Sequence, residues 1–268
     1  MAINNPDNHK MPVLFIGHGS PMNAISDNLF TKNLKSIGSE IKADFNPEAI
    51  LVISAHWLTE GTFVNISDHP KIIYDFGGFP DELYRVKYPA KGSPEYAKKV
   101  AEILRIKETE EWGLDHGAWS ILLHLFPNAG IPVFQLSLDY YKPLKYHFDF
   151  AKKLKILREN NLLIIGSGNI VHNLRLSLEG VSKYGENFVY EWVSEFDEWV
   201  KDKINKRDFE SLIDYQKAGQ PAKLSVPTPD HYIPLIYCIA LADEEEPINF
   251  FHEELTFGAL SLRSFRIG

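Results

Sequence analysis

Three runs of consecutive apolar residues constrain this 268-residue chain most: Val13-Leu14-Phe15-Ile16, Ile50-Leu51-Val52-Ile53 and Leu162-Leu163-Ile164-Ile165. A strand with one solvated face alternates apolar with polar residues. A strand apolar at every position is buried on both faces, as in the centre of a parallel sheet covered by helices. Pro132 to Leu138 reads as a further buried strand. Stretches with helical spacing separate these runs, roughly Asn28 to Ile41, Pro94 to Ile106, a helix from near His116, Pro143 to Asn160, Glu186 to Asn205, Asp208 to Ala218, and one ending near Ala242. That alternation predicts a single α/β domain with a central, mostly parallel sheet flanked by helices.

The strand exits impose a second constraint. The first run leads into Gly17-His18-Gly19-Ser20-Pro21, the second into Ser54-Ala55-His56-Trp57, and the third into Gly166-Ser167-Gly168-Asn169-Ile170-Val171-His172. Carboxyl ends of neighbouring parallel strands share one edge, where open α/β sheets bind their ligands. His18, His56 and His172 therefore converge, and His231, in the Pro-marked turn Thr228-Pro229-Asp230-His231, is a fourth candidate. Neutral imidazole is a common metal ligand, so the pattern predicts a metal site at the strand ends. His18 and His56 suit ligation best, because strand ends are rigid. His172, and His116 beside Asp115, suit either acid–base work, ligation or a hydrogen-bonded core, and spacing alone does not separate those roles. Asp115 is the expected orienting partner of His116. Ser20 with Pro21 is expected to open a helix, and Thr228 or Asp230 to cap the helix after His231.

The remaining histidines read blandly: His124 and His147 as packing residues, His69 and His252 in polar surroundings, and His9 in a leader spanning residues 1–10. The segment from Gly61 to Pro94, rich in Gly, Pro and aromatics, is long for a connection and is a candidate cover for the site. The lone Cys238 lies in an apolar stretch; it excludes an intrachain disulfide framework and fits a reducing, cytoplasmic setting. Net charge is −8 with both signs interspersed. No polybasic stripe invites nucleic acid, and no apolar run is long enough to span a membrane. Dinucleotide and phosphate-loop fingerprints, a nucleophile elbow and His-Glu-x-x-His are all missing from the sequence.

Five segments together resemble the class III extradiol ring-cleavage dioxygenases, most closely their DOPA-cleaving branch in its bacterial form. They are Met11 to Met22 around His18, Ser54 to Trp57, Trp112 to Trp119 around His116, Gly166 to Asn173, and Thr228 to Leu235 around His231, in the family's order from Met11 to Gly268. The resemblance implies a catalytic domain over residues 11–268 and one divalent metal held by His18, His56 and His231. It implies His172 as a base beside the metal, sometimes close enough to be a fourth ligand, and His116 as a second acid–base residue. It implies a catechol and O2 as substrates, with Fe(II) expected for oxygen chemistry. The third ligand position is a histidine rather than the carboxylate of better-known relatives, so Zn(II) suits the site as well. A zinc-dependent hydrolase using the same cluster is the alternative, and a non-catalytic metal-binding protein a further one. Trp57, Phe79, Trp119 and Tyr232 are candidate pocket walls, each also a candidate for core packing.

Overall fold

A computed structural model describes residues 10–185 and 187–268. The expected leader therefore lies outside the described residues except for Lys10, whose ammonium pairs with Asp243. The strands are β1 (Val13–Gly17), β2 (Ala49–Thr59), β3 (Phe63–Asn65), β4 (Lys107–Thr109), β5 (Val133–Asp139), β6 (Leu162–Gly168), β7 (Ile248–His252), β8 (Leu255–Thr256), β9 (Leu260–Ser261) and β10 (Ser264–Ile267). The helices are α1 (Leu29–Asp44), α2 (Pro94–Leu104), α3 (His116–Leu125), α4 (Leu144–Ala151), α5 (Lys155–Arg158), α6 (Leu174–Tyr184), α7 (Glu191–Asn205), α8 (Phe209–Ile213), α9 (Gln220–Ser225) and α10 (Ile233–Ala240).

Among the described residues, eight strands form one sheet in the order β4-β3-β5-β2-β6-β1-β10-β7, while β8 and β9 make a small hairpin. Strands β5, β2, β6 and β1 run parallel. Antiparallel β10 and β7 extend one edge, and β3, antiparallel to β5, extends the other. The all-apolar runs thus sit at the centre, and their side chains divide by parity. Val13 and Phe15 enter a core shared with α2, α4, α7 and α10. Leu14 and Ile16 enter the opposite core with α1 and α3. Two apolar layers hold the sheet between helices, as the sequence predicts.

The topology decides where the histidines meet. β1 and β2 flank β6 on its two sides, so all three carboxyl ends are adjacent. β2 continues past the expected end at Ser54 to Thr59, after its register with β5 shifts between Ile53 and Leu58. His56 therefore sits in the irregular part of a strand rather than beyond it. Close approach fixes two glycines. A Cβ on Gly168 would lie 2.2 Å from the His231 carbonyl oxygen, and one on Gly117 would lie 2.5 Å from Ser54 Oγ and 3.0 Å from the His56 ring.

Several element boundaries differ from expectation. The stretch from Pro143 to Asn160 is broken into α4, a 3-10 turn (Lys152–Leu154) and α5. Asp208 to Ala218 is likewise α8 followed by a 3-10 turn (Tyr215–Ala218). Ser20 does cap, receiving the Met22 amide at the head of a 3-10 turn (Pro21–Ile25). Neither Thr228 nor Asp230 caps α10; its N-cap position is Tyr232, with no side-chain bond. No helix among the described residues is long and apolar enough to cross a membrane.

Candidate metal centre

His18, His56 and His231 each offer a ring nitrogen to a group whose members lie within 4.8 Å of one another. His18 arrives from β1, whose ladder continues as its amide donates to the Gly168 carbonyl at 3.0 Å. His231 is pulled to β6 by its own carbonyl, which accepts the Asn169 amide at 2.8 Å. The Nε2 atoms of His18 and His56 face each other at 3.1 Å. His231 Nε2 is buried with no hydrogen-bond partner.

The second ring nitrogens each face an oxygen, two of them in a hydrogen bond. His18 Nδ1 meets Ser167 Oγ at 3.0 Å, and that hydroxyl donates to the Gly117 carbonyl at 2.5 Å, so it is left to accept from the ring. His56 Nδ1 lies 3.2 Å from Asp75 Oδ2. His231 Nδ1 lies 2.5 Å from Asp230 Oδ2. An acceptor at Nδ1 fixes the proton there and leaves Nε2 as a lone pair. Three such lone pairs aimed into one buried spot, with one of them partnerless, fit a divalent cation. Burial lowers the affinity of these rings for protons, helped by their mutual repulsion. It holds His18 and His231 well below the ordinary imidazole value and brings His56 down to about 4. Neutral rings are what a metal requires.

Two further histidines complete the cluster. The His172 ring stacks on His231 with centroids 3.4 Å apart and planes 6° apart. Its metal-type neighbours are Asp230 and His231, and burial lowers its pKa to about 4. The His116 ring lies 4.0 Å from that of His56. Its Nδ1 meets Asp75 Oδ2 at 2.9 Å and its backbone amide donates to Asp75 Oδ1 at 2.9 Å. Burial pushes the Asp75 carboxyl upward, but bonding to His116 and the charges of His116 and His56 hold it below its ordinary value.

Asp75 therefore has the part expected of Asp115. Asp115 instead accepts Ser54 Oγ at 2.7 Å and Gln135 Nε2 at 2.8 Å, and caps α3 through the Ala118 amide. Sequence reasoning misses Asp75, Asp230 and Ser167 as site residues, although Asp75 belongs to the segment expected to cover the site. The cavity above the cluster has a volume of about 470 Å³, and Phe76, Gly77 and Phe79 from that segment line it. Of the four aromatics expected as walls, only Phe79 lines it. Trp57 stacks on Trp112, Trp119 donates to the Ile73 carbonyl in the core, and Tyr232 is buried with its hydroxyl on the Leu212 carbonyl. The other histidines bond elsewhere: His124 to the Asn23 carbonyl, His147 to Tyr237, and His252 to Asn33 and Glu254. His69 is exposed.

Residues 9–263 match the family described as the catalytic LigB subunit of aromatic ring-opening dioxygenase. The chain belongs to this family. It is 41% identical over 266 residues to a 4,5-DOPA dioxygenase extradiol of Escherichia coli (strain K12), covering 97% of this chain and 95% of that one. It is 35% identical over 258 residues to a 4,5-DOPA dioxygenase extradiol of Beta vulgaris, with 94% of each covered. A crystal structure of an uncharacterized protein from Escherichia coli K12 superposes with a TM-score of 0.81 at 39% identity, covering 96% of this chain and 100% of that one. These likenesses establish a metal-dependent extradiol ring-cleaving dioxygenase, acting on a small molecule with O2.

Proposed function

We propose that this dioxygenase cleaves a catechol, DOPA-like diols among its candidate substrates, at one Fe(II) held by His18, His56 and His231. The observation that carries the reading is the set of three Nε2 atoms turned to one spot, with Nδ1 hydrogen-bonded in His18 and His231 and facing the Asp75 carboxylate at 3.2 Å in His56. Iron, when bound, supplies Lewis acidity toward the diol and the redox capacity that oxygen chemistry needs. The same donors suit Zn(II), so the metals are to be compared directly.

The remaining roles belong to side chains. His172, neutral above about pH 4 and stacked against His231, takes a proton from a catechol hydroxyl; its place beside a ligand leaves ligation open to it as well. His116, its Nδ1 tied to Asp75, presents its other nitrogen as the second acid–base group. Apolar walls exclude bulk water, which strengthens the electrostatics inside. The net reaction places both atoms of O2 in the product and breaks the ring bond beside the diol, giving a semialdehyde. We assign this activity to a catalytic domain spanning residues 11–268, and a cytoplasmic location on the strength of the lone buried Cys238.

Oxygen uptake by protein loaded anaerobically with Fe(II), then given catechols, tests the proposal. Uptake with a new ring-opened absorbing product, with iron but not zinc, and lost in His172→Ala, supports it. No uptake from any catechol with stoichiometric iron bound sinks it.

A further inference from the structure

The cavity carries an unusual charge pattern for a protein whose relatives are named for an amino-acid substrate. Its floor is the histidine cluster, and its rim and walls are Phe76, Phe79, Leu174, Leu178, Phe257 and Leu260. Among the described residues, no lysine or arginine lines it. Its one carboxylate, Asp75, is committed to His56 and His116. Of its two hydroxyls, Ser177 donates to the Phe257 carbonyl, and Ser20 receives the Met22 amide at 3.3 Å. The neighbouring cation on α6, Arg175, faces Glu179 at 3.8 Å and does not line the cavity.

The rim is apolar where solvent reaches it. Leu174 and Leu178, at i and i+4 on α6, are 53% and 71% exposed, and Phe257 opposite is 40% exposed. Single exposed leucines are ordinary on a protein surface, but three large apolar side chains around one cavity mouth form a patch that marks a binding site. Phe257 also holds a left-handed backbone, with φ of 46°, a conformation that a bulky residue adopts at a cost and that concentrates at ligand clamps.

We infer that the preferred substrates are catechols whose ring substituent is uncharged and apolar, with Leu174, Leu178 and Phe257 as the residues that select it. The inference rests on the ring-cleavage reading above. A diol chelated at the floor directs its para substituent toward the mouth. There an alkyl chain buries surface against the leucines and Phe257, whereas an ammonium or carboxylate finds no charged partner in the lining and gains nothing from the apolar rim. Each methylene buried is expected to strengthen binding about fourfold.

Calorimetry on iron-loaded protein without oxygen tests this, using catechol, 4-methylcatechol, 4-propylcatechol, 3,4-dihydroxyphenylacetate and L-DOPA. The expected result is affinity rising along the alkyl series, with 4-propylcatechol at least about tenfold tighter than L-DOPA. Leu178→Arg, at an exposed helical position, is expected to weaken the alkyl catechol and strengthen the dihydroxyphenylacetate. Equal or tighter binding of L-DOPA, or an alkyl series that stays flat, overturns the inference; should the variant fail to fold, this ranking in the unaltered protein decides. Oxygen uptake across the same panel separates the two readings. No uptake with any catechol of the panel overturns the catechol reading itself, whereas uptake with a flat ranking overturns only the preference.

Discussion

Replacing Asp75 with asparagine tests how the cluster is held, because the two side chains have nearly the same shape. The carboxylate receives two N–H groups of His116, the amide on Oδ1 and Nδ1 on Oδ2, both at 2.9 Å, and its Oδ2 stands 3.2 Å from His56 Nδ1 as a charge pair. An amide has one accepting oxygen. The His116 backbone N–H is a fixed donor, so the amide turns its oxygen there and presents its NH2 to both rings. The His116 ring answers by moving its proton to Nε2, and His56 loses the negative charge 3.2 Å from its Nδ1 that favours a proton there, so its proton shifts toward Nε2, the metal-facing atom. Loss of such an orienting partner costs 10- to 100-fold in metal affinity, or about 1.4–2.8 kcal/mol. Anaerobic competition against a chromophoric chelator reads this directly, with circular dichroism to show that the metal-free fold persists. A metal dissociation constant unchanged in Asp75→Asn would refute the argument that the carboxylate sets the His56 tautomer.

Two other perturbations have equally definite expectations. Gly168→Ala places a Cβ 2.2 Å from the His231 carbonyl oxygen, so the turn bearing His231 must retreat; destabilisation of about 1–3 kcal/mol with weakened metal binding is expected, and a denaturant midpoint and metal affinity both unaltered would contradict it. His147 is buried and its pKa lowered to about 4, chiefly by desolvation. The unfolded chain takes up this proton first, near pH 6.5, so the stability it contributes is full above that value and is lost as pH falls toward 4. Between pH 7 and 5 the loss is about 2 kcal/mol, to be read as the difference in urea-derived pH slope between the native chain and His147→Phe; identical slopes would count against a neutral buried imidazole.

How much of this was legible in sequence depends on whether the signal was local. β1, β2 and β6 were, because burial on both faces demands an unbroken apolar run. α9 was not: Gly219 to Pro229, with three prolines and a glycine, reads in sequence as a loop, yet Pro221 stands at the first turn of a helix, where its missing N–H costs nothing. Phe257 to Ile267 alternates apolar and polar residues and reads as one final strand, yet Phe257 and Gly258 take positive φ and the strand also breaks between Ser261 and Ser264, leaving a short β9 before β10. The candidate histidines were visible as residues at strand exits. Asp75 was not visible as their partner, since it reaches His116 across 41 residues of chain and only the return of its loop makes the contact.

The placement of charge also explains why the inner ring is purely imidazole. His18, His56 and His231 are kept neutral by burial, so none would cancel charge on a bound divalent ion. Negative groups stand one layer out: Asp75 beside His56 Nδ1, Asp230 on His231 Nδ1, and Asp115, whose charge also bears on His56. A carboxylate in the inner ring would compete with an anionic diol for the cation. Set behind the imidazoles, it raises their basicity and leaves the facing side of the metal position for the diol. The loop carrying Asp75 also carries Phe76 and Phe79 into the cavity wall, so the bonds that hold Asp75 on His116 and beside His56 also hold the wall over the substrate. Metal affinity and substrate fit are thus coupled through one side chain, and a change at Asp75 is expected to move both in the same direction.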